Sequence, residues 1–414
     1  MAVDISQSPA DGGLQADPSG VSHQLTEALG TDFFSVRQRF TKQQWDTFMA
    51  VRRYVDHEVL PVAAEAWDAA QMSWDVINRL PELGIVGDDI EGNGCPGLDP
   101  LSCGLVSMEL ARGDGSLATF HAVQSGLAMK AIDMLGSDEQ RARFLPGMAR
   151  LDIVGAFGLT EPDHGSDSVS LETTARRDGD EWVLDGRKRW IGNGSVAHRT
   201  VVWARNTESG DVHGFAVDTT TPGYAASVIP RKGSMRSVWQ ADIRLDGVRV
   251  PESDRLPGAR TFKDTGRVLA TTRGTCAWIA LGHATAGYDA ALRYALERKQ
   301  FGQPLASLQI VQQRLVKMLA ELTGMQLYCM QIAQLAEAGD LSPTIAGLAK
   351  MNNTSKARWI LSEARDLLGG NGILLDNHVM RHMADIESVH TFEGTETIQT
   401  LIVGREITGL GAFT

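Results

Sequence analysis

Apolar and polar positions along this chain fall into three textures. From Thr41 the apolar residues recur at three- and four-residue steps, through Trp45, Phe48, Val51, Val55 and Val59, which is the period of one helical face. Thr41 with Gln44 forms a capping-box signature at the start, and Pro61 is expected to end this helix. Helical spacing returns over 100–111, 118–134 and 138–149, and Glu91–Gly97 reads as a loop. From about 151 to 257 the runs become short and β-rich. Glu181–Leu184 and Arg187–Ile191 flank Asp185-Gly186, which predicts a hairpin with a type I′ turn. Further strands are expected at 200–204, 214–217 and 241–245, giving an antiparallel, barrel-like β domain. After Pro257 long helices return. Val311, Leu315, Met318, Leu322, Met325, Cys329 and Ile332 form a seam suited to bundle packing. Ser342-Pro343 opens the next helix, and Gly369-Gly370 closes it. Ala280, Gly282, Ala284, Ala286 and Gly287 make the preceding helix small-sided. The expected partition is a lead-in at 1–30, a helical domain at 31–150, a β domain at 151–262 and a four-helix bundle at 263–414.

Composition narrows the functional classes. A chain of 414 residues, 43% hydrophobic and 22% charged, suits a soluble globular protein of two or three domains. Its net charge of −12 argues against nucleic acid or an anionic membrane as partner, while leaving room for a local Arg/Lys cluster that binds phosphate. No stretch approaches the roughly 18 uninterrupted apolar residues of a membrane span. The 4 cysteines, Cys95, Cys103, Cys276 and Cys329, show no CxxC and no metal spacing, so no metal site is expected. Residues 1–30 are rich in Ser, Gly, Asp and Pro, which predicts a disordered lead-in. They carry no Lys or Arg, unlike a transit or secretory peptide, and the chain does not end in a Ser-Lys-Leu signal. A cytoplasmic location is expected.

Two segments hold candidate chemistry. In Thr391-Phe392-Glu393-Gly394-Thr395-Glu396-Thr397, one carboxylate sits between an aromatic ring and a glycine, a place for a general base with a raised pKa. The other is Phe157-Gly158-Leu159-Thr160-Glu161-Pro162-Asp163-His164-Gly165-Ser166-Asp167. Together they resemble the acyl-CoA dehydrogenase family, flavoenzymes that desaturate acyl thioesters between Cα and Cβ. The likeness extends over nearly the whole chain after about residue 30 and is greatest to the glutaryl-CoA dehydrogenase and short-chain acyl-CoA oxidase branch. It implies a mainly α fold with a central β domain, FAD as cofactor and a homotetramer. Such a reaction needs an organic hydride acceptor. No GxGxxG lies between a strand and a helix, so a Rossmann-bound nicotinamide is not expected.

By resemblance, Phe157, Leu159 and Thr160 lie against the flavin ring, and Ser166 binds its phosphate or the substrate. Trp190 and Ile191 belong to the next flavin-contacting strand, where Gly192 replaces the Thr or Ser of most relatives. Arg298, Phe301 and Gln309 resemble a segment reaching the flavin of a neighbouring subunit. Leu367, Gly369 and Gly370 resemble a third contact, with Asp366 where relatives often have Gln. Thr395 and Thr397 complete the implied cofactor set. Without the family, Glu297-Arg298-Lys299 reads as a charged helix end, and His121 and His164 read as structural.

Glu393 matches the family's catalytic glutamate. Some relatives carry that carboxylate on a bundle helix directly before an arginine; the matching pair here is Thr272-Arg273. The resemblance implies that Glu393 takes the α-proton while the β-hydride passes to flavin N5. Preorganised donors, including the base's own backbone N–H, would stabilise charge on the thioester oxygen. The implied substrate contacts are Thr119, Ser166, Arg273, Phe392 and Gly394. Ala118 falls where glutaryl-CoA dehydrogenases hold a distal carboxylate with arginine, so a short unsubstituted acyl group is expected, in a pocket of Leu117, Phe120 and Phe392. The expected function is a short-chain acyl-CoA dehydrogenase passing electrons to an electron-transfer flavoprotein. An oxidase using oxygen, which Gly192 favours, the same chemistry on an acyl-carrier protein, and a catalytically silent acyl-CoA-binding protein stay open.

Overall fold

The computed structural model describes residues 31–412 and the backbone of Gln15–Ala16 and Ser22–His23, which pair with each other. The rest of the expected lead-in lies outside the described residues.

The first helix, α1 (Lys42–Tyr54), starts at the Thr41–Gln44 capping box and buries Trp45, Phe48 and Val51. It does not stop at Pro61. A π turn over Val55–Val59 intervenes, and α2 (Leu60–Ala69) continues the helix with Pro61 as its second residue. Asp99 caps α3 (Pro100–Gly113) through the N–H groups of Leu101 and Ser102, and Asp114 caps α4 (Gly115–His121). A second π segment, Ala122–Met129, follows α4 directly. A capping box at Ser137 and Gln140 begins α5 (Asp138–Ala149). The expected loop at 91–97 contains a short pairing of Glu91–Gly92 with Cys95–Pro96.

The seven-stranded sheet comprises β1 (Gly155–Gly158), β2 (Thr174–Asp178), β3 (Glu181–Gly192), β4 (Arg199–Asn206), β5 (Val212–Asp218), β6 (Tyr224–Val228) and β7 (Gln240–Pro251). Its order is β6-β7-β3-β2-β4-β1, with β5 on the other edge of β4. Two pairings depart from the antiparallel expectation, since β4 runs parallel to both β1 and β2. The hairpin expected at Asp185-Gly186 is absent. Those residues lie inside continuous β3, with Asp185 opposite Thr174 and Gly186 opposite Leu245. A Cβ at Gly186 would stand 2.7 Å from the Thr173 backbone, so the glycine serves a close chain approach rather than a turn. Asp246-Gly247 forms the facing bulge, where the Gly247 N–H donates to Asp185 Oδ1 at 2.8 Å. The strands' inner faces bury Trp182, Leu184, Ile191, Val202, Phe215 and Ile243.

The C-terminal part contains α6 (Phe262–Glu297), α7 (Gln309–Glu337), α8 (Pro343–Leu367), α9 (Val379–Thr391) and α10 (Glu396–Thr408). All seven residues of the expected α7 seam are buried. The small side of α6 packs on α3, where a Cβ at Gly282 would lie 2.9 Å from Ala111 Cβ. Ser342 caps α8 through the Ile345 N–H, and the helix ends before Gly369. Among the described residues no helix is long and apolar enough to cross a membrane.

Candidate active site

The short connection between α9 and α10 carries Glu393, which adopts φ 56° and is followed by Gly394 at φ 83°. A left-handed residue other than glycine is uncommon, and its surroundings must hold it there. Donors from three helices do so. Lys350 Nζ, from α8, donates to the carbonyls of both Phe392 and Gly394. Gln399 Nε2 donates to the Glu393 carbonyl at 3.0 Å. Thr272 Oγ1, from α6, donates to Glu393 Oε2 at 2.7 Å. Burial pushes the Glu393 carboxyl above its ordinary pKa, while the Thr272 hydroxyl and the cations Lys350 and Arg273 oppose that rise. The Glu393 N–H makes no hydrogen bond within the chain among the described residues.

The π segment after α4 forms the facing wall. A Cβ on Gly126 would approach Thr272 Cγ2 at 3.5 Å, and a Cβ on Gly192 would meet Val123 Cγ2 at 2.8 Å. Val123 and Gly126 thus stand between the end of β3 and the Thr272–Glu393 pair. Leu117 and Phe120, expected in the acyl pocket, line a small cavity with Val59, Met72 and Ser116. The Thr119 hydroxyl is spent on the Gly115 carbonyl at 2.8 Å and Met235 Sδ at 3.5 Å. Half-buried Arg273 has no hydrogen bond or ion pair among the described residues, and burial lowers its pKa.

Strand β1 leads into the second candidate segment. Phe157 and Leu159 are buried, with Phe157 against Trp203, so only their backbones remain for a ligand. The Thr160 and Ser166 hydroxyls make no hydrogen bond among the described residues, and Gly165 faces open space. Lys188 Nζ reaches the Leu159 carbonyl at 3.2 Å and Glu161 Oε1 at 2.7 Å, and Glu161 also accepts from the Thr173 N–H at 2.9 Å. This buried pair pins the segment to β3, although Arg187-Lys188-Arg189 reads in sequence as a plain basic strand. At the end of β3, Trp190 takes φ 63° and is 53% exposed, with the Arg189 guanidinium 5.3 Å from its ring centroid. Ile191 turns its side chain into the sheet core.

The remaining expected residues lie in the chain's other segments and at the start of α10. Arg298 precedes a two-residue hairpin, Lys299–Gln300 with Gln303–Pro304, whose turn carries Phe301 at 93% exposure. The Arg298 guanidinium has no partner among the described residues, and Gln309 is exposed at the start of α7. Leu367 is buried, whereas Gly369 and Gly370 face open space. Asp366 is held by Arg314 at 2.8 Å. Thr395 caps α10 through the Ile398 N–H, and Thr397 is exposed. His121 bonds the Ile85 carbonyl at 2.7 Å, a structural role. No group of three or more potential metal ligands occurs among the described residues.

Unspent hydroxyls, open glycines and an exposed aromatic ring fit a flat heterocycle with a polar edge and an anionic tail. With a half-buried carboxylate on the bundle loop, these features suit a flavoenzyme that acts on carbon–carbon bonds. The chain matches the N-terminal domain of acyl-CoA dehydrogenase over 41–152, the middle domain over 156–248 and the C-terminal domain over 262–408. It is 40% identical to a glutaryl-CoA dehydrogenase from Mycobacterium smegmatis, with TM-score 0.90, covering 92% of this chain and 99% of that one. A glutaryl-CoA dehydrogenase structure from that organism, in complex with FADH2, is 36% identical with TM-score 0.91 over 93% of this chain and 99% of that one. The mitochondrial short-chain specific acyl-CoA dehydrogenase of Bos taurus is 32% identical over 85% of this chain and 87% of its own length. The chain belongs to the acyl-CoA dehydrogenase family. It is an oxidoreductase acting on CH–CH groups, with FAD as cofactor.

Proposed function

We propose that this protein is a dehydrogenase of short-chain acyl-CoA thioesters, with Glu393 as the base that takes the α-proton. The observation that carries the reading is Glu393 itself, enclosed, raised in pKa and fixed by donors from three helices. A carboxylate in water is too weak a base for a thioester α-proton; burial brings it towards the working pH. The unspent Glu393 N–H is available to the thioester oxygen, where charge develops as the proton leaves. Bound FAD supplies the acceptor for the β-hydride. The Leu159 backbone, Thr160, Ser166 and the Trp190 ring would hold it. Arg298, Phe301, Gln309 and Gly369-Gly370 would reach the cofactor of a neighbouring subunit in a homotetramer. Their freedom among the described residues supports this role, since a guanidinium without a partner there suits a pyrophosphate.

Ala118 is buried and offers no cation to a distal carboxylate, which favours an unsubstituted acyl group over glutaryl. An electron-transfer flavoprotein is the proposed acceptor, and the cytoplasm the proposed location. A second reading, an oxidase that passes the electrons to oxygen as hydrogen peroxide, is favoured by Gly192. Here Val123 occupies the space a Thr or Ser side chain would need, which leaves that wall without a hydroxyl. Glu393→Gln tests the central assignment. The variant is expected to stay yellow and bind acyl-CoA, yet lose turnover by several orders of magnitude. Near-normal turnover would remove Glu393 from its role.

A further inference from the structure

One face of α8 is built around the Glu393 loop. Gly347, Lys350 and Thr354 lie three and four residues apart, so they share that face. Gly347 leaves room for the Gln399 side chain, which passes close to Gly394 as well. Thr354 meets His390 Nδ1 at 3.3 Å. Between them Lys350 is 1% exposed and makes no ion pair with a carboxylate among the described residues. Both of its hydrogen bonds go to the carbonyls on either side of Glu393. An ammonium taken out of water and spent on two carbonyls is an expensive way to close a turn that glycine could make. Its position gives it a second effect, because its charge acts on the carboxylate between those carbonyls.

We propose that Lys350 is a positioning residue for the reaction: it clamps the peptide units flanking Glu393, aims the carboxylate and keeps it ionised. The proposal rests on the reading of Glu393 as the base. The two carbonyls converge on one nitrogen, so the chain must loop round it, and the left-handed φ of Glu393 is the consequence. The other groups facing this loop are few. On α6 they are Arg273 and Cys276, whose thiol burial pushes up to about 12, so it stays neutral. His390, at the end of α9, is lowered by burial and lies 3.6 Å from Glu396. Lys350 and Arg273 are therefore the cations that favour the Glu393 carboxylate.

The sign follows from this. Removing the Lys350 charge raises the Glu393 pKa, and the acid limb of the pH–rate profile moves to higher pH. Gln399 holds the same loop through a neutral donor, so its loss should misplace the base without moving the limb. The test measures kcat, KM, flavin content and the pH dependence of kcat/KM for Lys350→Met, Lys350→Arg, Gln399→Met and Glu393→Gln, each as purified holoenzyme. Lys350→Met is expected to retain flavin with KM little changed, and to lose about a hundredfold in kcat, the usual cost of a base displaced by about 1 Å. Its acid limb should shift up by about one unit. Gln399→Met should lose kcat with the limb in place, and Lys350→Arg should restore the limb. A flavin-loaded Lys350→Met with wild-type kcat overturns the proposal, as does lost kcat with an unmoved limb. If Lys350→Met does not fold, Lys350→Arg and Gln399→Met decide: a displaced limb in either one overturns it. Should Glu393→Gln keep its turnover, the base assignment fails first and the role of Lys350 falls with it. An inactive Glu393→Gln beside a normal Lys350→Met rejects the positioning role alone.

Discussion

Thr272 shows what a single hydroxyl contributes to the carboxylate proposed as the base. It stands on α6, at the position where some family members carry the base, and here donates to Glu393 Oε2 at 2.7 Å. That bond favours the ionised form, against burial. Thr272→Val keeps the shape and removes the donor, so the Glu393 pKa rises further. As pH falls, kcat/KM should then be lost earlier than in the parent. At neutral pH the loss is expected to be about tenfold, in line with a hydrogen bond to a charged group. A pH–rate profile of the variant superimposing on the parent's would contradict this. Glu393 itself is legible in the sequence, because a carboxylate between Phe392 and Gly394 is a local pattern. Its partners are not. Lys350 and Thr272 lie 42 to 44 and 121 residues from the positions they hold; Thr272 stands out only as the residue before Arg273, and nothing near Lys350 marks it. Lys350 reads as one polar residue of an amphipathic helix, and only the fold shows that it faces inward.

Helices were more legible than strands, for a physical reason. The capping box at Thr41 and the Ser342-Pro343 start are short-range devices, and the α7 seam repeats over many turns. Pro61 misleads because a π turn just before it shifts the ladder, so the helix passes through. Asp185-Gly186 misleads because Asp-Gly suits a tight turn and also suits a strand crossed closely by another chain segment. The second use depends on Thr173, which lies outside the local window. Gly186→Ala separates the two cases. At a crossing with 2.7 Å to the Thr173 backbone, the added methyl should destabilise the protein by about 1–3 kcal/mol, the range for overpacking. Thermal unfolding of the variant measures it. An unchanged midpoint would mean that the sheet opens freely around the glycine. The parallel pairings of β4 were likewise hidden, since strand direction follows from connections rather than from alternation.

At the scale of the whole molecule, the exposed hairpin is the feature one chain does not explain. Phe301 at 93% exposure, beside an Arg298 without a side-chain partner among the described residues, suits a contact with a neighbouring subunit and its cofactor. Phe301→Asp is expected to lower both assembly and flavin retention, read together by light scattering and by the ratio of flavin to protein absorbance. Arg298→Ala should lower flavin retention alone. A Phe301→Asp protein with the parent's assembly state and full flavin loading would place the hairpin outside the cofactor site. The order of helical part, sheet and bundle was plain in the texture of the chain, whereas the residues that join its parts were not. The central claim, desaturation of a short acyl thioester by a flavoenzyme with Glu393 as base, is tested most directly by anaerobic addition of butyryl-CoA to the purified yellow protein. Rapid bleaching of the visible flavin absorbance, absent in Glu393→Gln, is the result predicted. A yellow parent protein that binds butyryl-CoA and stays oxidised would contradict it.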